Sequence, residues 1–225
     1  LTGVAITVPH FAAGGGWTTQ LMLTNPTNEK LTGTVEFVGR GTANEPAEPI
    51  RLVVNGIFNS SFTYSIPARS ALKMVSSGIP NEIQGGSIRV SPEGGVAPSV
   101  GALYSFKQGG ITVTESSITA VPMATGYRMY LDAASGIRPA IALANPSSMP
   151  LSVNLEIQNL ADGTSLGSQT IAIPGNGQIA QFIHEIFTGI PESYRGTLRL
   201  SASSPFSAAG LRGRYNERGE FLIST

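Results

Sequence analysis

No cysteine occurs in the 225 residues, which excludes disulfides and thiolate metal sites and leaves the redox compartment open. Charge is scarce: 14 Lys and Arg face 14 Asp and Glu, together 12% of the chain, against roughly 25% in an ordinary globular domain. So even a balance sets up no global field for nucleic acid or an anionic surface, and no nucleic-acid partner is expected. No apolar run approaches the ~20 residues that span a bilayer, because Gly, Pro, Ser or a charge interrupts each one. No membrane insertion of this segment is expected. The histidines are only two, His10 and His184, and His184-Glu185 lacks the second histidine of a zinc-protease helix. Neither a metal nor another cofactor is expected.

What is present is apolar and small-polar. Hydrophobic residues at 41% suffice to fill two cores, and Ser, Thr, Asn, Gln and Gly must then cover most of the surface. The chain starts with Leu1 rather than Met, which fits a removed N-terminal segment. With the low charge, this points to an extracellular or cell-surface location.

The sequence repeats itself. Asn25-Pro26-Thr27-Asn28, Leu31 and Val35-Glu36-Phe37-Val38 return as Asn145-Pro146-Ser147-Ser148, Leu151 and Leu155-Glu156-Ile157-Gln158. Ile66-Pro67 answers to Ile173-Pro174, Gly78-Ile79-Pro80 to Gly189-Ile190-Pro191, and Gly86-Ser87-Ile88-Arg89-Val90 to Gly196-Thr197-Leu198-Arg199-Leu200. The same punctuation and alternation serving one backbone twice predicts two domains, 1-122 and 123-225, with a short junction near Ala120 to Thr125 that favours a fixed, rod-like tandem.

Within each copy the apolar residues alternate, as in Val35-Phe37, Phe62-Tyr64-Ile66 and Ile88-Val90, or Met129-Leu131, Leu151-Val153-Leu155-Ile157 and Leu198-Leu200. Turn clusters such as Gly14-Gly15-Gly16 and Gln108-Gly109-Gly110 separate them. About seven strands per copy is a sandwich count. The span from Pro174 to Pro191 exceeds its counterpart by about one helical turn, and Ile179, Phe182, Ile183, Ile186 and Phe187 follow helical spacing. This predicts one helix, over residues 178 to 187. The expected fold class is all-β, two tandem antiparallel β-sandwiches with one short helix in the second.

The strings Leu211-Arg212-Gly213-Arg214-Tyr215-Asn216-Glu217-Arg218-Gly219-Glu220-Phe221-Leu222-Ile223 and Ile173-Pro174-Gly175-Asn176-Gly177-Gln178-Ile179-Ala180-Gln181-Phe182 resemble a recurring module of large secreted bacterial proteins, similar to immunoglobulin-like β-sandwiches. The resemblance implies that the two sandwiches are immunoglobulin-like and that the setting is extracellular, and it carries over no catalytic or ligand-binding residue.

Candidate sites are few. Arg212, Arg214 and Arg218, interleaved with Tyr215 and Phe221, form a basic hairpin; arginines two apart on a strand share a face and bind carboxylate, sulfate or phosphate bidentately. Local pairing with Glu217 and Glu220 is the plainer reading. Tyr127 and Tyr130, near the junction, either line a cleft for a glycan or peptide or fill the contact between the copies. His10 is the repeat counterpart of Tyr130. Gly14-Gly15-Gly16 has no helix predicted after it, so a turn or bulge explains it better than a phosphate cradle, and Trp17, the only tryptophan, is read as core packing in preference to an exposed sugar-stacking platform. Asp132, Asp162 and Glu217 form no Asp-x-Asp-x-Asp calcium loop. Glu36 and Glu156 occupy one position of two separate units and so form no acid and base pair. No nucleophile elbow occurs. The expectation is a non-enzymatic structural or adhesion module with a protein or glycan partner, self-assembly through exposed edges included. The alternative is a carbohydrate- or peptide-binding module using the basic hairpin or an interdomain cleft.

Overall fold

The computed structural model describes residues 3–79, 81–133, 136–191 and 193–225. Leu1 and Pro80, used above as markers, lie outside them. The first half comprises β1 (Ile6–Ala13), β2 (Trp17–Thr24), β3 (Leu31–Val38), β4 (Leu52–Val54), β5 (Ile57–Asn59), β6 (Ser61–Ile66), β7 (Ala71–Val75), β8 (Gln84–Pro92), β9 (Ser99–Gln108) and β10 (Ile111–Thr119). The second has β11 (Ala124–Asp132), β12 (Arg138–Ala144), β13 (Leu151–Asn159), β14 (Ser165–Ile173), β15 (Gln178–Phe182), α1 (Ile183–Ile186), β16 (Arg195–Tyr215) and β17 (Phe221–Ser224).

In the first half, two antiparallel four-stranded sheets, β1-β8-β3-β6 and β10-β9-β2-β7, enclose one core that includes Phe11, Leu21, Phe37, Ile66 and Tyr104. The second half repeats this order. The 21-residue β16 crosses from one sheet to the other: Arg195 to Ala202 pairs with β11 and β13, and Ser207 to Tyr215 with β12 and β17. Its two parts do the work of β8 and β9, which a loop through Gly94 and Gly95 separates in the first copy. With β14 beside β13 and β15 beside β12, the orders become β11-β16-β13-β14 and β17-β16-β12-β15. In both copies the first strand lies beside the sixth shared strand; in the immunoglobulin constant order it would lie beside the second.

The repeated Asn-Pro pairs have a physical cause. Asn25 and Asn145 are buried at equivalent turns. The Asn25 amide donates to the carbonyls of Glu29 (2.7 Å) and Pro67 (2.9 Å), and its Oδ1 accepts from Thr27 N (2.9 Å). Asn145 does the same with Met149 (2.8 Å), Pro174 (3.0 Å) and Ser147 N (3.0 Å). Each side chain ties the turn after the second strand to the segment that follows β6 or β14. Asn145→Ala takes the donor from two carbonyls at a half-buried site and should cost about 1–2 kcal/mol in urea unfolding. Asn145→Asp should do no better, since a carboxylate would face the same two oxygens. Gly86 and Gly196 are matched in the same way: a Cβ there would lie 1.9 Å from Val38 O and 2.3 Å from Gln158 O, carbonyls that are themselves repeat counterparts.

The expected helix is shorter than its apolar spacing suggested. Residues 178 to 182 form β15, paired with β12 from Ala144↔Gln178 to Ala140↔Phe182, and only Ile183–Ile186 is helical. The exposed side of β12 needs a ladder partner, and residues 71 to 75 supply the same partner to β2 in the first copy. Tertiary pairing overrides the helical period.

The two sandwiches pack side by side along their strands and not end to end, which corrects the expected rod. The outward face of the β17-β16-β12-β15 sheet, carrying Ala140, Ala142, Ala209 and Leu211, closes the open side of the first sandwich between its edge strands β1 and β10. Small side chains permit that approach. As a result β1 is buried along both faces from Thr7 to Ala13. Four polar contacts cross it: Ser207 Oγ donates to Thr7 O (3.2 Å), Gln178 Nε2 contacts His10 Nδ1 (3.2 Å), Ala47 N donates to Gly175 O (2.8 Å) and Arg89 to Asn176 Oδ1 (2.8 Å), while the buried Gln178 Oε1 has no hydrogen-bond partner among the described residues.

Candidate cleft between the two sandwiches

Strands β10 and β17, each the edge of its sheet, run beside each other with side chains in place of a ladder. Thr114 Oγ1 accepts from Ile223 N (3.0 Å) and donates to Ile223 O (3.1 Å), and Thr225 Oγ1 donates to Ser117 O (2.6 Å). Beside this seam lies a cleft of about 610 Å³, lined by Val113, Thr114 and Glu115 on one side and Arg212, Arg214 and Leu222 on the other.

Alternation on β16 puts Leu211 against the first sandwich and Gly213 on the same side, under Phe182 and Phe221, so Arg212 and Arg214 face the cleft and are exposed. Opposite them in the ladder stand Ser224 and Leu222. Neither arginine, nor Arg218, lies within ion-pair distance of a carboxylate among the described residues. The expected local pairing with Glu217 and Glu220 is therefore not formed. Glu220 instead accepts from Asn216 Nδ2 (2.8 Å), and Asn216 Oδ1 holds the turn by accepting from Arg218 N (3.0 Å) and Glu220 N (2.9 Å). Arg218 thus sits at the turn, outside the cleft lining. Glu115 accepts from Ser105 Oγ (2.6 Å) and supplies the cleft with its one carboxylate among the lining residues.

The tyrosines are not brought to the same place. The Tyr127 hydroxyl donates to Phe206 O (2.7 Å) and accepts from Ala124 N (3.1 Å), its ring packs edge-on against Phe206 at 5.0 Å, and burial raises its pKa. It holds the start of β11 to β16. Tyr130 is 60% exposed on β11. His10, its counterpart, is buried against the second sandwich, and burial together with Arg40 lowers its pKa to about 4.

Trp17 packs at the rim of the first core against Phe106 (5.1 Å) and Tyr104 (6.2 Å). Gly15 and Gly16, with φ of 58° and 90°, make the tight turn before it, closed by Gly14 N to Trp17 O (3.0 Å). Glu156 meets Arg199 at 3.6 Å across the ladder, Asp132 meets Arg195 at 3.5 Å, and Asp162 accepts from Thr164 within its turn. Among the described residues no three His, Asp or Glu side chains converge, and no helix is long and apolar enough to cross a membrane.

Sequence reasoning missed Thr114, Glu115 and Leu222 because the seam joins strands from different copies. It also passed over Asn55-Gly56, a strong hairpin signal: both residues have positive φ, and the β4-β5 hairpin they turn leaves Ile57 and Phe58 exposed.

Fold and cleft together define an all-β protein of two joined sandwiches with a basic cleft at their seam. No protein-family model matches the chain, and no curated protein is significantly similar to it.

Proposed function

We propose that the chain is a non-enzymatic structural and adhesion module, acting outside the cell or at its surface in the manner of the immunoglobulin-like modules it resembles. The observation that carries this reading is the shared, hydrogen-bonded contact that holds two sandwiches in one arrangement. Such a body presents its outer faces at fixed spacing, which suits a spacer or adhesin. Small-angle scattering of the dilute chain should be fitted by a single rigid arrangement. A profile that demands an ensemble of inter-sandwich orientations would overturn the reading.

A second reading, a binding module for carboxylate- or sulfate-bearing peptides or glycans, rests on the unpaired Arg212 and Arg214 in the cleft. Each charge-assisted contact contributes about 1.5–3 kcal/mol. On an array of acidic glycans and peptides, Arg212→Ala and Arg214→Ala should each weaken retention roughly tenfold, and added salt should weaken the parent too. Binding indifferent to both substitutions would place the ligand elsewhere.

A further inference from the structure

The open side of the second sandwich is the counterpart of the side that is covered in the first. Ladder positions make the equivalence residue by residue. Tyr104 stands opposite Ser116 and Phe106 opposite Thr114; in the second copy Arg212 stands opposite Ser224 and Arg214 opposite Leu222. In the first copy these positions are sealed by the second: Tyr104 is fully buried, and Thr114 is bonded to Ile223. In the second copy the same positions line the open cleft.

The covering face has a free counterpart as well. Ala142, Ala209 and Ile223, which close the first sandwich, correspond by register to Met22, Gly101 and Glu115. Met22 is 42% exposed, Gly101 meets only Met22 and Thr119 of its own sheet among the described residues, and Glu115 stands at the edge of this face, where it also lines the cleft beside the seam. One molecule therefore carries both halves of a contact it already makes once internally.

We propose that the chain associates head to tail with further copies of itself, the β2, β9 and β10 face of one copy seated on the β11 and β17 side of the next. This names the occupant of the cleft and rests on the reading of that cleft as a binding surface. Applying the internal packing to a second copy brings its Glu115, the counterpart of Ile223, to Leu222, the counterpart of Thr114. Arg214 lies opposite Leu222 and Arg212 two residues away on the same face. The carboxylate so delivered meets two arginines that form no ion pair among the described residues, so the contact is complementary in charge as well as in position. The surfaces joined are different, so the contact is heterologous and grows an open chain with no closed dimer. Met22 and Gln20 replace Ala142 and Ala140 at this contact, which holds the copies further apart than the two halves of one chain and makes the association reversible.

Light scattering of the full chain across a concentration series tests this. The average mass should climb with concentration and pass beyond the dimer, and added salt should reverse the climb. Arg214→Glu and Glu115→Arg should each weaken association roughly tenfold or more, with circular dichroism unchanged. The two single variants mixed together should associate again, because each supplies the charge that the other lacks. A mass that stays monomeric up to the solubility limit overturns the proposal, as does a closed dimer indifferent to both substitutions. A monomer that still binds acidic ligands through Arg212 and Arg214 overturns self-association alone and leaves the binding reading in place.

Discussion

Ala142→Glu is expected to destabilise the protein by about 3–5 kcal/mol, because it sets a carboxylate with no partner into a dry contact. Ala142 is fully buried, yet its side chain serves the core of the first sandwich from a strand of the second. The effect should therefore be felt in both. Trp17 packs at the rim of the first core, so its fluorescence follows that sandwich, while far-ultraviolet circular dichroism follows the whole chain. In the parent the two signals should trace one transition in urea. In Ala142→Glu they should separate, the sandwiches unfolding independently once their contact is lost. Ala142→Leu, which adds volume without charge, should cost about 1–3 kcal/mol by overpacking. Coincident transitions with a loss below about 1 kcal/mol in the glutamate variant would mean that the packing around Ala142 is not what holds the sandwiches together.

The second large effect is a loss of stability in mild acid centred on His10. Its ring is buried, Gln178 Nε2 donates to Nδ1, and burial first and Arg40 second disfavour the charged form, taking its pKa to about 4. In the unfolded chain the ordinary value is near 6.5. The sign follows: between these values the unfolded chain binds a proton that the folded chain refuses, so stability rises with pH. The contribution is complete above about pH 6.5 and is lost as pH falls toward 4, at up to about 1.4 kcal/mol per pH unit and about 3 kcal/mol in all. Urea unfolding of the parent and of His10→Gln from pH 4 to 7.5 isolates this contribution from the other titrating groups. The difference between the two curves should grow steadily through the window. A flat difference would show that His10 charges in the folded state as readily as in the unfolded one.

Much of the fold can be read from the chain alone. The repeated Asn-Pro pairs marked equivalent turns, because a buried asparagine that bonds several carbonyls must be an asparagine in both copies. Period-two apolar runs marked the strands, and Gly86 and Gly196 sit where a neighbouring strand leaves no room for a Cβ. The misreading at residues 178 to 182 has a physical source: Ile179 and Phe182, three apart, would share one face of a helix, but in the strand they take opposite faces, Ile179 against the second core and Phe182 against the first, and only the unpaired side of β12 and the packing of the two sandwiches decide between them. The inter-sandwich contact did leave a local trace. Ala140 to Ala144 is apolar at every position, the mark of a strand covered on both faces, whereas the matching stretch of β2 carries Gln20 and Thr24.

The candidate cleft was half legible. Two arginines two apart on a strand point to one face from spacing alone, but whether they are paired depends on what stands across the ladder and across the seam. Ser224 and Leu222 stand across the ladder, and Glu115 comes from the other copy.

By itself, then, the sequence determined two copies of one sandwich, their strands and turns, and a chain with no global field. These follow from backbone conformation and from alternation, both set by residues a few positions apart. Only the tertiary structure decided that the copies lie side by side, that His10 is sealed while Tyr130 is open, and that Arg212 and Arg214 look into a cleft and form no ion pair among the described residues. Each of these depends on which face of one sheet covers which side of another, and the residues that settle it lie in different halves of the chain.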